Sequence, residues 1–196
     1  MARIIVSLLS EHPIPNILFI KEMGFDKLLF LTTKEMKLKN VFENTLSALG
    51  INEAKNIIQL LVPNDDFQEI YLKLGSLLNS ERNFIFPNDE IFVNLTGGTK
   101  IMSLAVYGFF RDYRKVKIVY LPIGKNLYKQ IIPLESRDYP LKSRLGLKEY
   151  LTAYGYEIIE ANAPEGDENF ISKRKQMVYE FAKLYKDEEK IGRAHV

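Results

Sequence analysis

Residues 96 to 100 read Thr-Gly-Gly-Thr-Lys, with the strand-like "EIFVNL" before them and the apolar helical stretch "IMSLAVYGFF" after them. At such a turn Gly97 and Gly98 permit positive φ and close approach to the backbone, while the first amides of the helix lack internal partners. The helix N-terminus contributes about half a positive charge, Lys100 adds a full one, and Thr96 and Thr99 offer hydroxyls. Together these groups suit a phosphate. The string is not a Walker loop, which needs a Gly-Lys pair with another glycine five residues before it, whereas Lys100 follows Thr99 and Val93 stands five residues before Gly98; no GxGxxG occurs either. A tight strand-to-helix turn with a solvated lysine would use the same residues, so two other loops bear on the choice. "SLLSEHPIPN" places the hydroxyl of Ser10, the imidazole of His12 and the amide of Asn16 after the first strand, although Asn16 also suits a helix cap and His12 a plain surface position. "PIGKN" places Gly124 and Lys125 after the fifth, where a hairpin turn with an exposed lysine is the plainer use.

The elements that position these loops follow from hydrophobic periodicity. Ile4 to Leu9 is an apolar run of strand length, and "PIPNILFIKEMG" follows with prolines suited to a helix entry and Gly24 to its end. Lys27 to Leu31 is again strand-like. Thr33 suits an N-cap, and Leu38, Val41, Phe42, Leu46 and Leu49 keep helical spacing up to Gly50. Asn56 to Val62 reads as a third strand. Asp65 and Asp66 then precede a helix with Phe67, Ile70, Tyr71, Leu74, Leu77 and Leu78 on one face. Glu90 to Leu95 is strand four, Thr99 to about Tyr113 a helix, and Val116 to Leu121 strand five. Alternating strands and helices imply parallel pairing by right-handed crossovers, hence an open, doubly wound α/β sheet with helices on both faces. Its ligands collect at the carboxyl ends of the strands, where the three loops lie. A hairpin about Gly124 to Asn126 and "LGLKEYLTAYGYEIIEA", read as a short helix and strand, make a small C-terminal appendage. "NAPEGDEN" reads as a linker and Phe170 to Lys186 as a charged helix.

The 196 residues suit one domain with an addition, and 46% hydrophobic content fills one core. Lys and Arg number 27 against 25 Asp and Glu, so any anion site is a matter of local geometry. Absence of cysteine excludes disulfides and thiolate metal sites. With no secretory leader and no apolar run of membrane-spanning length, the expected location is the cytoplasm, without a membrane partner. The last six residues, "IGRAHV", can be spelled with a following stop by ATCGGAAGAGCACACGTCTGA, which looks like a sequencing adapter. The expectation is a natural chain interrupted near Lys190, with a downstream domain missing and His195 without meaning.

"SLLSEHPIPNILFIK", "LFLTTKEM", "VNLTGGTKIMSLAVYGFF", "YLPIGK" and "LGLKEYLTAYG", in this order, closely resemble the CARF (CRISPR-associated Rossmann fold) sensor domain of the ancillary CRISPR nucleases that respond to cyclic tetra-adenylate. The resemblance implies a Rossmann-like sensor over residues 1 to 160, then linker and the start of an effector domain over 161 to 190, with 191 to 196 the adapter-like tail. It implies a type III CRISPR effector whose homodimer binds a cyclic oligoadenylate across its two-fold axis. The missing domain would be a nuclease holding a divalent metal, Mg or Mn, through carboxylates and a lysine, and acting on DNA or RNA. The sensor itself needs no cofactor and no metal. Residue by residue, the resemblance carries ligand contacts onto Ser10, Glu11, His12, Pro15 and Asn16, onto Thr33, and onto Thr96, Gly97, Gly98, Thr99 and Lys100, with Gly124 and Lys125 at the rim. His12 departs from the family, where glutamine is common.

A ring of four phosphates exceeds what one turn and one amine neutralise, whereas a two-fold pair presents two of each to a ligand of matching symmetry. Two other functions remain open. One is slow cleavage of the bound ring by its own 2′-hydroxyls, a reaction that needs alignment more than a dedicated base and to which Lys100, Ser10 or His12 could contribute. The other is a regulator with a different output, such as a DNA-binding or membrane module; the basic cluster Lys173, Arg174 and Lys175 could serve it, but a solvated helix face is the plainer reading.

Overall fold

The computed structural model describes residues 1–81 and 84–156. The expected linker, the charged helix after it, the strand ending at Ala161 and the last six residues lie outside them.

Five parallel strands carry the fold: β1 (Arg3–Leu8), β2 (Lys27–Thr32), β3 (Ile57–Leu61), β4 (Glu90–Asn94) and β5 (Val116–Tyr120). β6 (Leu127–Ile132) and β7 (Asp138–Pro140) add antiparallel neighbours, giving the order β3-β2-β1-β4-β5-β6-β7. The hairpin expected as part of an appendage therefore extends the sheet, and β7 is an element that its three residues are too short to announce.

Alternate residues of each strand feed two cores, because successive side chains leave a strand on opposite faces. Ile4, Val6 and Leu8 join Val93 and Ile118 against α4 (Phe67–Ser80) and α5 (Lys100–Phe110). Ile5 and Leu9 join Phe30 and Phe92 against α1 (Ile14–Met23), α2 (Lys34–Leu38) and α3 (Val41–Ala48). Burial on both faces explains why β1 is apolar on successive residues from Ile4 to Val6 and buries even Ser7. The single helix expected between Thr33 and Gly50 is divided, since Asn40 takes a left-handed conformation (φ 53°) that ends α2 and starts α3 afresh. Leu38, expected on the core face, is consequently exposed. In α4 only Ile70 and Leu74 are fully buried, and Phe67 and Tyr71 remain open to solvent.

A last helix, α6 (Leu147–Ala153), seats Ala153 and Leu145 against Ile14 and Ile17 of α1 and Ala48 of α3. The Glu22 carboxylate at the end of α1 accepts from the amides of Lys142 (2.9 Å) and Ser143 (2.7 Å). Burial alone would raise its pKa, but these bonds outweigh that and hold it below the ordinary value. Lys21 pairs with Glu149, which also accepts from the Gly146 amide at the N-terminus of α6.

Candidate functional site

The strand order reverses between β1 and β4, so the loops after these strands diverge and open a crevice at the carboxyl edge. Both turns of interest border it. Leu8 ends β1, Asn94 ends β4, and a chain of buried hydrogen bonds ties their loops together. Asn16 Nδ2 donates to the Leu8 carbonyl (2.7 Å), and its Oδ1 accepts from Asn94 Nδ2 (2.9 Å). Asn94 Oδ1 accepts from the Thr96 amide (3.0 Å), and Thr96 Oγ1 accepts from the Leu121 amide at the end of β5 (2.7 Å). Asn16, Asn94 and Thr96 are buried. Their polar groups face one another, so Asn16 and Thr96 position the loops from beneath.

Above this chain the Thr96–Lys100 turn presses on β1. A Cβ at Gly97 (φ 101°) would stand 2.6 Å from the Leu8 carbonyl oxygen and 3.1 Å from Ser10 Oγ. One at Gly98 (φ 62°) would meet Leu8 Cβ at 3.2 Å and the Met102 sulfur at 3.3 Å. The glycines were expected to admit a ligand; Gly97 first of all admits the protein's own strand. Gly98, Thr99 and Lys100 are exposed. Thr99 caps α5, accepting from the Met102 amide (3.2 Å) and donating to the Asn64 carbonyl. Among the described residues the amides of Gly98, Lys100 and Ile101 reach no acceptor, and Lys100 has no ion pair. An anion placed there would meet several donors and the helix dipole together.

Beside the turn lies a cavity of about 210 Å³ that draws on four loops. Its floor is Leu9, Met36 and Met102, and its walls include Ser10, Thr33, Gly98 and Thr99. Glu11, Glu35 and Asn64 form the rim, and a second space of about 380 Å³ adjoins it through Thr33, Glu35 and Asn64. Lys39 bridges the two acids, bonding Glu11 and Glu35 Oε1 (3.0 Å). The hydrogen bond from Lys39 holds the Glu11 carboxyl below its ordinary value, and those same bonds hold the Lys39 ammonium above its own. Thr33 Oγ1 caps α2 by accepting from the Met36 amide (3.3 Å).

The residues expected from sequence thus separate into groups. Ser10, Glu11, Thr33, Gly98 and Thr99 line one space. Asn16, Thr96 and Gly97 build its support, with Lys100 exposed at the neighbouring turn. His12 is exposed, and Pro15 occupies the first turn of α1, where a missing amide costs nothing. Gly124 and Lys125 are exposed on the loop after β5, whose base is tied to Thr96 through Leu121, and do not line the cavity. Sequence reading missed Glu35, Asn64 and the apolar floor. Asn64 was open to the positional rule used for the other loops, since "VPND" follows β3 at the same edge. Another cavity, of about 300 Å³, lies at the opposite edge, where Arg3 pairs with Glu90 (3.5 Å) and its amide bonds Asp26 (2.6 Å).

A crevice at the strand reversal, a glycine turn and a polar cavity beside it define a Rossmann-like α/β domain with its candidate site at the carboxyl edge of the sheet. The family model of the Card1 CARF domain matches residues 4–150, and the chain belongs to that family. Among solved structures it is similar to Can2 from Sulfobacillus thermosulfidooxidans in complex with cyclic tetra-adenylate, at 24% identity and a TM-score of 0.65 over 83% of this chain and 43% of that one. The protein VC1899 from Vibrio cholerae is 16% identical with a TM-score of 0.64, over 78% of this chain and 39% of its own. Csm6 from Enterococcus italicus, bound to cyclic hexa-2′-fluoro-hexa-dAMP, is 18% identical with a TM-score of 0.51, over 63% and 34%. The chain therefore spans less than half the length of each. These likenesses establish a shared fold. No curated protein matches the sequence. Among the described residues no helix is long and apolar enough to cross a membrane.

Proposed function

We propose that this chain is a cyclic oligoadenylate sensor of type III CRISPR antiviral defence, acting in the cytoplasm and binding cyclic tetra-adenylate across a two-fold homodimer. The carrying observation is the exposed Gly98–Lys100 turn, whose amides and ammonium have no partner among the described residues, set beside the four-loop cavity at the strand reversal. Membership of the Card1 CARF family and the cyclic oligoadenylates held by two similar folds support the ligand class. In a longer protein whose following domain is a nuclease holding Mg or Mn, the ring would activate cleavage of DNA or RNA.

The surface of α5 supports the dimer. Lys100, Leu104 and Gly108 recur every four residues and so share one face. Leu104 is 56% exposed, and Phe67 lies over Gly108, where a Cβ would come within 3.5 Å of its ring. Tyr71 stacks on Phe67 with ring centroids 6.1 Å apart. This apolar patch continues directly from Lys100. A two-fold contact across it brings two glycine turns to one ligand.

Calorimetric titration with rings of four and of six adenylates is the direct test. One four-membered ring per two chains is expected; no binding of any adenylate ring would overturn the reading. Lys100→Ala is expected to weaken the ring by at least about 10-fold, since a charge-assisted hydrogen bond contributes roughly 1.5–3 kcal/mol. Unchanged affinity would remove the lysine from the site. Leu104→Glu is expected to yield monomers in sedimentation equilibrium and to abolish the one-to-two stoichiometry. A variant that remains dimeric would place the interface elsewhere.

A further inference from the structure

This inference rests on the adenylate reading above and concerns which part of the ligand enters the cavity. Charge divides the site in two. The turn side has Lys100 and the amides without acceptors, the Gly98 amide at its boundary with the cavity, whereas among the described residues the cavity has no lysine or arginine in its lining and two carboxylates on its rim. Lys39, the ion-pair partner of both, leaves that rim with net negative charge. A phosphate is repelled there. The floor of Leu9, Met36 and Met102 is buried and apolar, and thioethers make favourable contacts with aromatic rings. An uncharged planar base suits that floor.

The polar groups around the space are mostly committed. Thr33 Oγ1 caps α2, and Thr99 Oγ1 spans the Met102 amide and the Asn64 carbonyl. Asn64 is the exception. Its main chain is held by Thr99, while its carboxamide is exposed and has no hydrogen bond among the described residues. A carboxamide sets one acceptor beside one donor, the complement of the N6 amine and N7 of adenine. Guanine offers two acceptors along the same edge and can satisfy only half of it. We propose that the cavity seats an adenine base and that Asn64 is its specificity-determining residue, bonding N6 and N7 together.

The test titrates the full chain with cyclic tetra-adenylate and with its 7-deaza analogue, which keeps the amine and replaces N7 by a carbon. The unsubstituted protein is expected to prefer the parent ring by about 5- to 100-fold, the range of discrimination given by a bidentate amide–base pair. Asn64→Ala removes a side chain without hydrogen-bond partners among the described residues and keeps the carbonyl that Thr99 holds. It is expected to bind both rings equally, each near the affinity of the unsubstituted protein for the 7-deaza ring or below it. Asn64→Asp, which presents two acceptors, is expected to lose the preference as well. Persistence of the preference in Asn64→Ala, or its absence from the unsubstituted protein, would overturn the assignment while leaving the sensor reading intact. Failure of the unsubstituted protein to bind the parent ring would strike at the sensor reading itself.

Discussion

Gly97→Ala is expected to lower the melting temperature by about 10 °C and to abolish ring binding, which makes it the most damaging single-methyl change in the site. Two effects combine. A φ of 101° is strained for any residue with a Cβ, at a cost of about 1–3 kcal/mol. The new methyl would also stand 2.6 Å from the Leu8 carbonyl oxygen, a backbone atom fixed in an interior strand. Relief requires the turn to withdraw from β1, which carries Gly98 away from Leu8 and opens the cavity wall that Gly98 shares with Ser10. About 3 kcal/mol in total corresponds to about 10 °C for a domain of this size. Gly50→Ala is the control, because Gly50 also has positive φ (71°) but nothing within 4 Å of an added Cβ. Its loss should be about 1 kcal/mol, so thermal melts of the two variants separate the contact from the conformation. Equal melts would show that the crowding at Leu8 relaxes freely.

Asn16→Asp is expected to be nearly as costly although it is isosteric. Asn16 spends its donor on the Leu8 carbonyl at 2.7 Å and its acceptor on Asn94, in a place from which water is excluded. An ionised carboxylate there sets oxygen against oxygen and is itself desolvated, for a loss of about 3 kcal/mol or more. Because desolvation raises the pKa of the introduced group above its unfolded value of about 3.9, the sign of the pH dependence follows. Below the unfolded value the neutral acid can donate to Leu8 and the deficit is smallest. It grows as pH rises through the folded pKa and is largest at neutrality. Melts of this variant and the unsubstituted protein from pH 4 to pH 8 check the prediction; a constant difference would mean that the group has the same pKa in the folded and unfolded chains and is therefore not desolvated. Ring affinity should fall in parallel, because the same bonds hold the first and fourth loops together.

Much of the fold is legible because both of its periodicities are strong. β1 and β4 carry consecutive apolar residues, Ile4 to Val6 and Ile91 to Val93, which marks strands covered on both faces, and the crossover pattern follows from the helices between them. The break at Asn40 was hidden because Val41, Thr45 and Ala48 continue a helical spacing that the backbone restarts. β7 was hidden by brevity. In the site, the Thr96–Lys100 turn announced itself by glycines, yet the same letters could not say what the glycines make room for.

Residue type and position along the strands by themselves determined a doubly wound sheet with polar loops at one edge, since burial and turn chemistry are local matters. Tertiary structure alone decided which of those polar groups face inward. Asn16 and Thr96 carry the same chemistry as Asn64 and Thr99, and only the packing of β1 against β4 turns the first two into buried supports and leaves the Asn64 amide open to a ligand. A hydrogen-bonding side chain is satisfied by whatever lies within 3 Å of it, and that neighbour is a property of the fold.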